Sequence, residues 1–246
     1  MEHLEGRQSI FAALQARQRR FEAILLSHGA HEEKFTQILE LAAERGVPVR
    51  RADWRELDAI AHGSTHGGML AIVSEKPRMT PRQLIELLNG IEQPPLLLLL
   101  EGIEDARNLG FTLRSAEALG AHAVLIKKHL WDFDSVEIAR PSSGAYERMP
   151  LVQLEDVEHL TELQNRGLRL IGCLANVRQT LYQANLRRPT IIAIGGEKRG
   201  LSGAVRCICD EFLTIPTRPG AASLSLSHAA ALVLAEAMRQ RMDVNS

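Results

Sequence analysis

The chain has 246 residues, of which 45% are hydrophobic and 24% charged, and its formal net charge is −1. That suits one large or two modest globular domains, and it excludes a chain-wide basic field for nucleic acid, leaving only local basic patches for that purpose. Three cysteines, Cys173, Cys207 and Cys209, argue for a reducing compartment rather than a disulfide framework. The Cys207–Cys209 pair lacks the second pair or nearby histidine of a zinc set, so no metal is expected. The N-terminal MEHLEGRQSI is too polar for a secretory signal, and the PPLLLLL run before Glu101 is too short to span a bilayer. A cytoplasmic protein with no membrane partner is expected.

Residues 4–75 alternate helical and strand patterns. A helix is expected near 4–17, on Leu4, Ile10, Phe11 and Leu14, and a strand at FEAILLS (21–27). HEEKFTQILELAAERG reads as an amphipathic helix stopped by Gly46. A short strand at VPV, a short helix at DWRELDAIA and a strand at GMLAIVS (68–74) complete an α/β unit over 1–75. The AHGSTHGG stretch, with His62 and His66, reads as a loop rather than a metal site. Residues 76–95 carry four prolines and read as a linker, with a short helix capped by Thr80 and opened by Pro81.

From 96 the alternation resumes. LLLLL (96–100) is a strand, followed by a helix over 107–119 ended by Gly120. HAVLIK, MPLVQL, LRLIGC, TIIAIGG and EFLTIP read as further strands, with a helix at 155–166 ended by Gly167. Near-continuous aliphatic strands are buried on both faces, so residues 96–246 predict a parallel, doubly wound α/β sheet. Ligands bind beyond the carboxyl ends of such strands. Here those ends are EGIEDARNLGFTLR, CLANVRQTLYQ, GGEKRGLSG and PTRPGAASLS. Three of the four are rich in Gly, Ala and Ser, which let a ligand approach the backbone. No G-x-G-x-x-G follows any strand, and GGEKRGLS lacks the Lys-Ser/Thr ending of a phosphate loop. NAD and ATP therefore rank low, while a nucleoside-like group held by backbone N–H and C=O fits.

Three of these stretches, in order, resemble the SpoU/TrmH family of RNA ribose 2′-O-methyltransferases. EDARNLGFTLRSAEALGAHAVLI is similar to the family's Asp-Pro-x-Asn-x-Gly-x-x-x-Arg block. IIAIGGEKRGLS is similar to its Gly-Asn-Glu-x-x-Gly-Leu-Ser block. FLTIPTRPGAASLSLSHAAALVLAEA is similar to its Ile-Pro-Met … Ser-Leu-Asn-Val-Ser-Val-Ala block. RPSSGAYERMP also looks like a family segment. EGRQSIFAAL and HGGMLAIV resemble the ribosomal-protein-like substrate-binding domain that often precedes the catalytic one.

The resemblance implies a trefoil-knotted C-terminal α/β domain, a rare exception among folds, together with S-adenosylmethionine as methyl donor. It also implies a homodimer with the C-terminal helix in the interface. The donor site it implies is Leu174, Ala175, Ile194, Gly195, Gly196, Ile215, Thr217 and Leu224. Around the reacting ribose it implies Asn108, Arg114, Glu197, Ser223 and Ser225. Ribose methylation builds charge on the 2′-oxygen, and a cation beside it stabilises that charge. The resemblance gives Arg114 this task. On pattern alone Arg114 reads as a helix-surface arginine paired with Glu117 at i+3, Asn108 as a helix cap, and Glu197 as a solvated loop carboxylate. Lys198 and Arg199 face phosphates or solvent. Ser223, Ser225 and Ser227 read as caps on pattern alone.

The chain departs from the family pattern at Ala106 (Pro in the family), Gly196 (Asn), Ser225 (Asn) and His228 (an apolar residue). Loss of two amides puts rate and substrate choice in question while leaving donor binding intact. The N-terminal basic residues Arg17, Arg19, Arg20 and Arg51 are candidate RNA contacts, reading structured RNA by shape. The leading expectation is 2′-O-methylation of structured RNA, with 23S rRNA favoured by the two-domain layout. The alternatives are a tRNA methyltransferase and a non-catalytic RNA-binding member of the family.

Overall fold

The structure, a computed structural model, describes residues 1–61, 66–127 and 133–242. His62 lies outside that range. The first elements are β1 (Glu2–Glu5), α1 (Arg7–Ala16), β2 (Phe21–Ser27), α2 (Thr36–Glu44), β3 (Val49–Ala52), α3 (Trp54–Ile60), β4 (Met69–Val73) and α4 (Pro81–Asn89). Then come β5 (Leu96–Leu100), α5 (Ala106–Ala118), β6 (Ala123–Lys127), α6 (Ser135–Ser142), α7 (Ala145–Arg148), β7 (Leu151–Leu154) and α8 (Glu158–Asn165). The chain ends with β8 (Arg169–Cys173), β9 (Thr190–Ile194), α9 (Gly203–Ile208), β10 (Glu211–Leu213) and α10 (Leu226–Met242). It divides into two compact units, one of residues 1–77 with 133–148 and one of residues 78–132 with 149–246.

The first unit holds a four-stranded sheet in the order β1-β4-β2-β3, with β4 antiparallel to β1 and β2, and β2 parallel to β3. The helix expected near 4–17 is shorter than its pattern suggested. Residues 2–5 pair with β4 instead, and Gly6 at φ 79° turns the chain into α1. That pairing partner lies some 65 residues away, so no local period announces it. Leu4, Ile10, Leu14, Ile24 and Leu26 form the buried aliphatic centre. Helices α6 and α7, from the RPSSGAYERMP region, belong to this unit, with α7 packed on α1 and α6 on β1.

The second unit is built on a six-stranded, wholly parallel sheet in the order β10-β8-β9-β5-β6-β7. All five leucines of β5 are buried, each worth about 2 kcal/mol by transfer from water, an upper estimate. Such a strand holds only at the centre of a sheet covered on both faces. The stretch 76–95, read as a linker, carries α4. Thr80 and Gln83 form a reciprocal capping box there, Pro81 sits at the first helical position, and Leu84 is buried in the core of this unit. Helix α10 packs against α5 and β9. Its last turn is fixed by Arg241, which donates to the carbonyls of Pro94, Pro95, Leu186 and Arg188, and by Gln240, which bridges Ala184 and Leu186.

Candidate active site

The carboxyl ends of β8, β9 and β10 open onto a cavity of about 240 Å³. Leu174, Ala175, Ile194, Gly195, Gly196, Ile215, Thr217 and Leu224, the eight residues expected around a methyl donor, all line it, as does Ser223. The loops are tied down before they reach it. Leu174 N–H donates to the Leu213 carbonyl at 2.9 Å, and Thr214 Oγ1 donates to the Ala175 carbonyl at 2.9 Å. Cys173 also lines the cavity, but burial, with Cys209 close by, pushes its thiol up to about 12. Burial likewise lifts Cys209 to about 11. Both are neutral thiols, not nucleophiles. Among the described residues no group of three or more His, Cys, Asp or Glu is placed to hold a metal ion.

The loop after β9 turns so tightly that it needs its glycines. A Cβ on Gly195 would stand 2.0 Å from the Gly200 carbonyl carbon, and one on Gly196 would stand 2.1 Å from the Gly102 carbonyl oxygen. Glu101, buried directly after β5, holds this loop from below. Its carboxylate accepts from Ser202 N–H at 2.8 Å and Ser202 Oγ at 3.0 Å. Glu101 was absent from the expected site residues. A carboxylate closing a run of buried leucines was its signal, because a buried charge requires partners.

Asn108, Glu197 and Ser225 come together through a chain of side chains. Asn108 Nδ2 donates to Glu197 Oε1 at 3.4 Å, Ser227 Oγ donates to Asn108 Oδ1 at 3.2 Å, and Ser225 Oγ meets Ser227 Oγ at 3.0 Å. His228 Nδ1 lies 2.6 Å from Ser225 Oγ. Each of the three sequence blocks contributes to this chain. Asn108 sits in the first turn of α5, whose cap is Asp105, and Ser225 and His228 sit at the start of α10. A cleft of about 60 Å³ beside it is lined by Gly102, Ile103, Glu104, Asp105, Asn108, Glu197, Lys198 and Leu226. Glu197 and Leu226 line both spaces. Lys198 forms an ion pair with Glu104.

Arg114 stands apart. It lies on the exposed side of α5, lines neither space, and among the described residues makes no hydrogen bond or ion pair. The pairing with Glu117 read from the pattern is not formed among the ion pairs of the described residues. Arg107, Phe111, Arg114 and Ala118 share that exposed face, where Phe111 is 49% exposed.

Residues 95–235 match the family model of the SpoU rRNA Methylase family, and residues 3–79 match that of RNA 2′-O ribose methyltransferase substrate binding. The chain belongs to the SpoU rRNA methylase family. A 23S rRNA (guanosine-2′-O-)-methyltransferase RlmB of Pseudomonas putida is 37% identical over 98% of this chain and 97% of its own length. A solved RNA 2′-O ribose methyltransferase is 28% identical, with a TM-score of 0.78 over 98% of this chain and 88% of its own. The SpoU methyltransferase AviRb of Streptomyces viridochromogenes, solved with AdoMet, shares the fold at 24% identity and a TM-score of 0.82, covering 98% and 90% of the two chains. As a SpoU methylase, the protein is an RNA ribose 2′-O-methyltransferase.

In the unit that matches the substrate-binding model, Arg17 and Arg20 are exposed, and Arg51 is exposed while donating to the Ser27 carbonyl at 2.9 Å. Arg19 is different. Its guanidinium is buried, donating to both Glu147 oxygens at 2.8 and 3.0 Å, to Glu2 and to the Ser74 carbonyl. The expectation that Arg19 touches RNA is therefore corrected. The RQRR run hid one structural arginine among surface ones, because its partner Glu147 lies 128 residues away.

Proposed function

We propose that this enzyme methylates the ribose 2′-hydroxyl of a guanosine in 23S rRNA, with the strand-end cavity as the seat of S-adenosylmethionine. The coincidence of the eight expected donor residues around one cavity carries the reading. The chemistry of the lining fits the donor. Leu174, Ile194, Ile215, Leu224 and Leu226 offer apolar walls for an adenine, and the glycine backbone offers its edge donors and acceptors. Glu197 is the one charged residue among the lining, a sign that suits a sulfonium. S-adenosylmethionine supplies an electrophilic methyl group. The chain of Glu197, Asn108, Ser227 and Ser225 beside it orients the ribose, and Ser223 closes the cavity mouth. The sequence identity to RlmB over the whole chain favours 23S rRNA over tRNA.

The same reading includes a homodimer formed through a knotted catalytic domain in the cytoplasm. Helix α10 carries Leu232, Ala235, Arg239 and Met242 on one exposed face, with Leu232 44% exposed. The exposed apolar side chains Leu232 and Met242 on α10, and Phe111 on the helix α5 against which α10 packs, support burial against a second copy. In that assembly Arg114 meets the second copy's cavity and stabilises the developing alkoxide. Arg17, Arg20 and Arg51 neutralise phosphates. The test is a map of 2′-O-methyl positions in 23S rRNA from cells with and without the protein. One guanosine loses its ribose methyl in the deletion strain. An unchanged map overturns the assignment.

A further inference from the structure

Two departures from the family pattern, Ser225 just before α10 and His228 in its first turn, touch each other, with His228 Nδ1 2.6 Å from Ser225 Oγ. The protons in this chain of side chains can be counted. Each hydroxyl has one to give. Ser227 gives its proton to Asn108 Oδ1, whose amide nitrogen in turn donates to Glu197. The 3.0 Å contact between the serines is then donated by Ser225. Ser225 therefore has no proton left for the imidazole, and the 2.6 Å contact is donated by His228 Nδ1–H. Backbone N–H of His228 also points at Ser225 Oγ, at 3.4 Å. All bonds run one way, from imidazole to carboxylate. In the neutral ring that tautomer puts the lone pair on Nε2, on an exposed side chain one residue from cavity-lining Ala229.

We propose that His228 is the catalytic base for the methyl transfer, taking the ribose 2′-hydroxyl proton on Nε2. This rests on the ribose-methylating function proposed above. In the step, the 2′-O–H bond breaks as its proton passes to Nε2. The oxygen forms a bond to the donor methyl, and the S–CH3 electron pair returns to sulfur, leaving neutral S-adenosylhomocysteine. The positive charge moves from sulfonium to imidazolium, which later releases its proton to water. Nδ1–H, anchored through Ser225, Ser227 and Asn108 to the Glu197 carboxylate, fixes the tautomer and steadies the imidazolium. The ionisable groups on the elements around it are Glu197, Lys198 and Arg199 after β9, Glu104 and Asp105 before α5, Arg107, Arg114 and Glu117 on α5, and Arg218 after β10. Lys198 and Glu104 pair with each other, so the Glu197 carboxylate is the charge bonded into the chain.

The experiment is single-turnover methylation of an unmodified full-length 23S rRNA transcript with labelled S-adenosylmethionine, across pH 5.5–9. Wild type, His228→Gln and Ser225→Ala are compared, with donor affinity read by calorimetry. The wild-type rate falls toward acid pH. His228→Gln lowers the rate about 100-fold at pH 7.5, the usual contribution of a positioned base. It also flattens the acid limb and leaves donor affinity within twofold. Ser225→Ala lowers the rate but keeps an acid limb, which guards against a folding defect in the histidine variant. A His228→Gln enzyme with wild-type rate and an unchanged acid limb overturns the proposal. Ribose methylation by wild type in the same assay separates that outcome from failure of the functional reading.

Discussion

Ser227 Oγ donates to Asn108 Oδ1 at 3.2 Å across 119 residues of chain. That bond joins α5, the helix after β5, to α10, so the chain of side chains from Glu197 to His228 forms only when both are docked. Asn108→Ala removes the link between the serines and Glu197. Losing hydrogen bonds in a chain ending on a charge costs about 1.5–3 kcal/mol. The methylation rate is expected to fall roughly 10- to 100-fold, while calorimetry shows donor affinity within twofold. An unchanged rate would place Asn108 in a purely structural role.

Gly196 occupies the place of a family asparagine, and the backbone leaves no room to restore it. A Cβ there lies 2.1 Å from the Gly102 carbonyl oxygen, which is backbone and cannot swing aside. Gly196→Asn is expected to destabilise the protein by about 2 kcal/mol or more, lowering Tm by roughly 4–8 °C. Calorimetric melting decides the matter, and an unshifted Tm would mean that the loop adapts freely.

Arg19 and Arg20 are neighbours with opposite fates. Arg19→Ala strands the buried Glu147 carboxylate, and breaking such a pair costs about 3–5 kcal/mol. Arg20→Ala leaves stability within about 0.5 kcal/mol and weakens rRNA affinity with a shallower salt dependence. Urea melts and filter binding across salt concentrations separate the two. Equal loss of stability in both variants would contradict the assignment.

Burial presses the Lys76 ammonium down to about 8, from an ordinary 10.5, with Arg19 adding to the effect and Glu147 opposing it. Below pH 8 both folded and unfolded chains hold this proton. Between about pH 8 and 10.5 the unfolded chain binds more protons than the folded one, so stability rises with pH, by at most about 3 kcal/mol. Lys76→Met lacks that slope. The variant's advantage over wild type in urea midpoint is therefore expected to shrink between pH 7.5 and 9.5. A gap independent of pH would show that the lysine does not titrate in this window.

Much of this was legible in the sequence where the physics is local. The leucine run of β5, the Thr80–Pro81 helix start and the small-residue loops at the strand ends all announce themselves within a few residues, while the residues lining the cavity were named through the resemblance to the SpoU/TrmH family. Long-range partners were not legible. The strand at 2–5 carries a helix-like spacing that only its pairing with β4 overrides. Arg19 looks like its neighbours until Glu147 is brought to it, and residues 133–148 pack with the first unit although they interrupt the second. Ser227 and His228 were seen as departures or matches in a motif. Their meaning depends on bonds that no spacing displays.

The central claim is that the strand-end cavity delivers a methyl group to a ribose oxygen. Its most direct test is to incubate the purified protein with unmodified 23S rRNA and S-adenosylmethionine carrying a 13C methyl, digest the RNA to nucleosides, and identify the labelled product by mass spectrometry. The account predicts 2′-O-methylguanosine, with the label on the ribose. Label on a base, or no labelled nucleoside from protein that binds the donor, would contradict it.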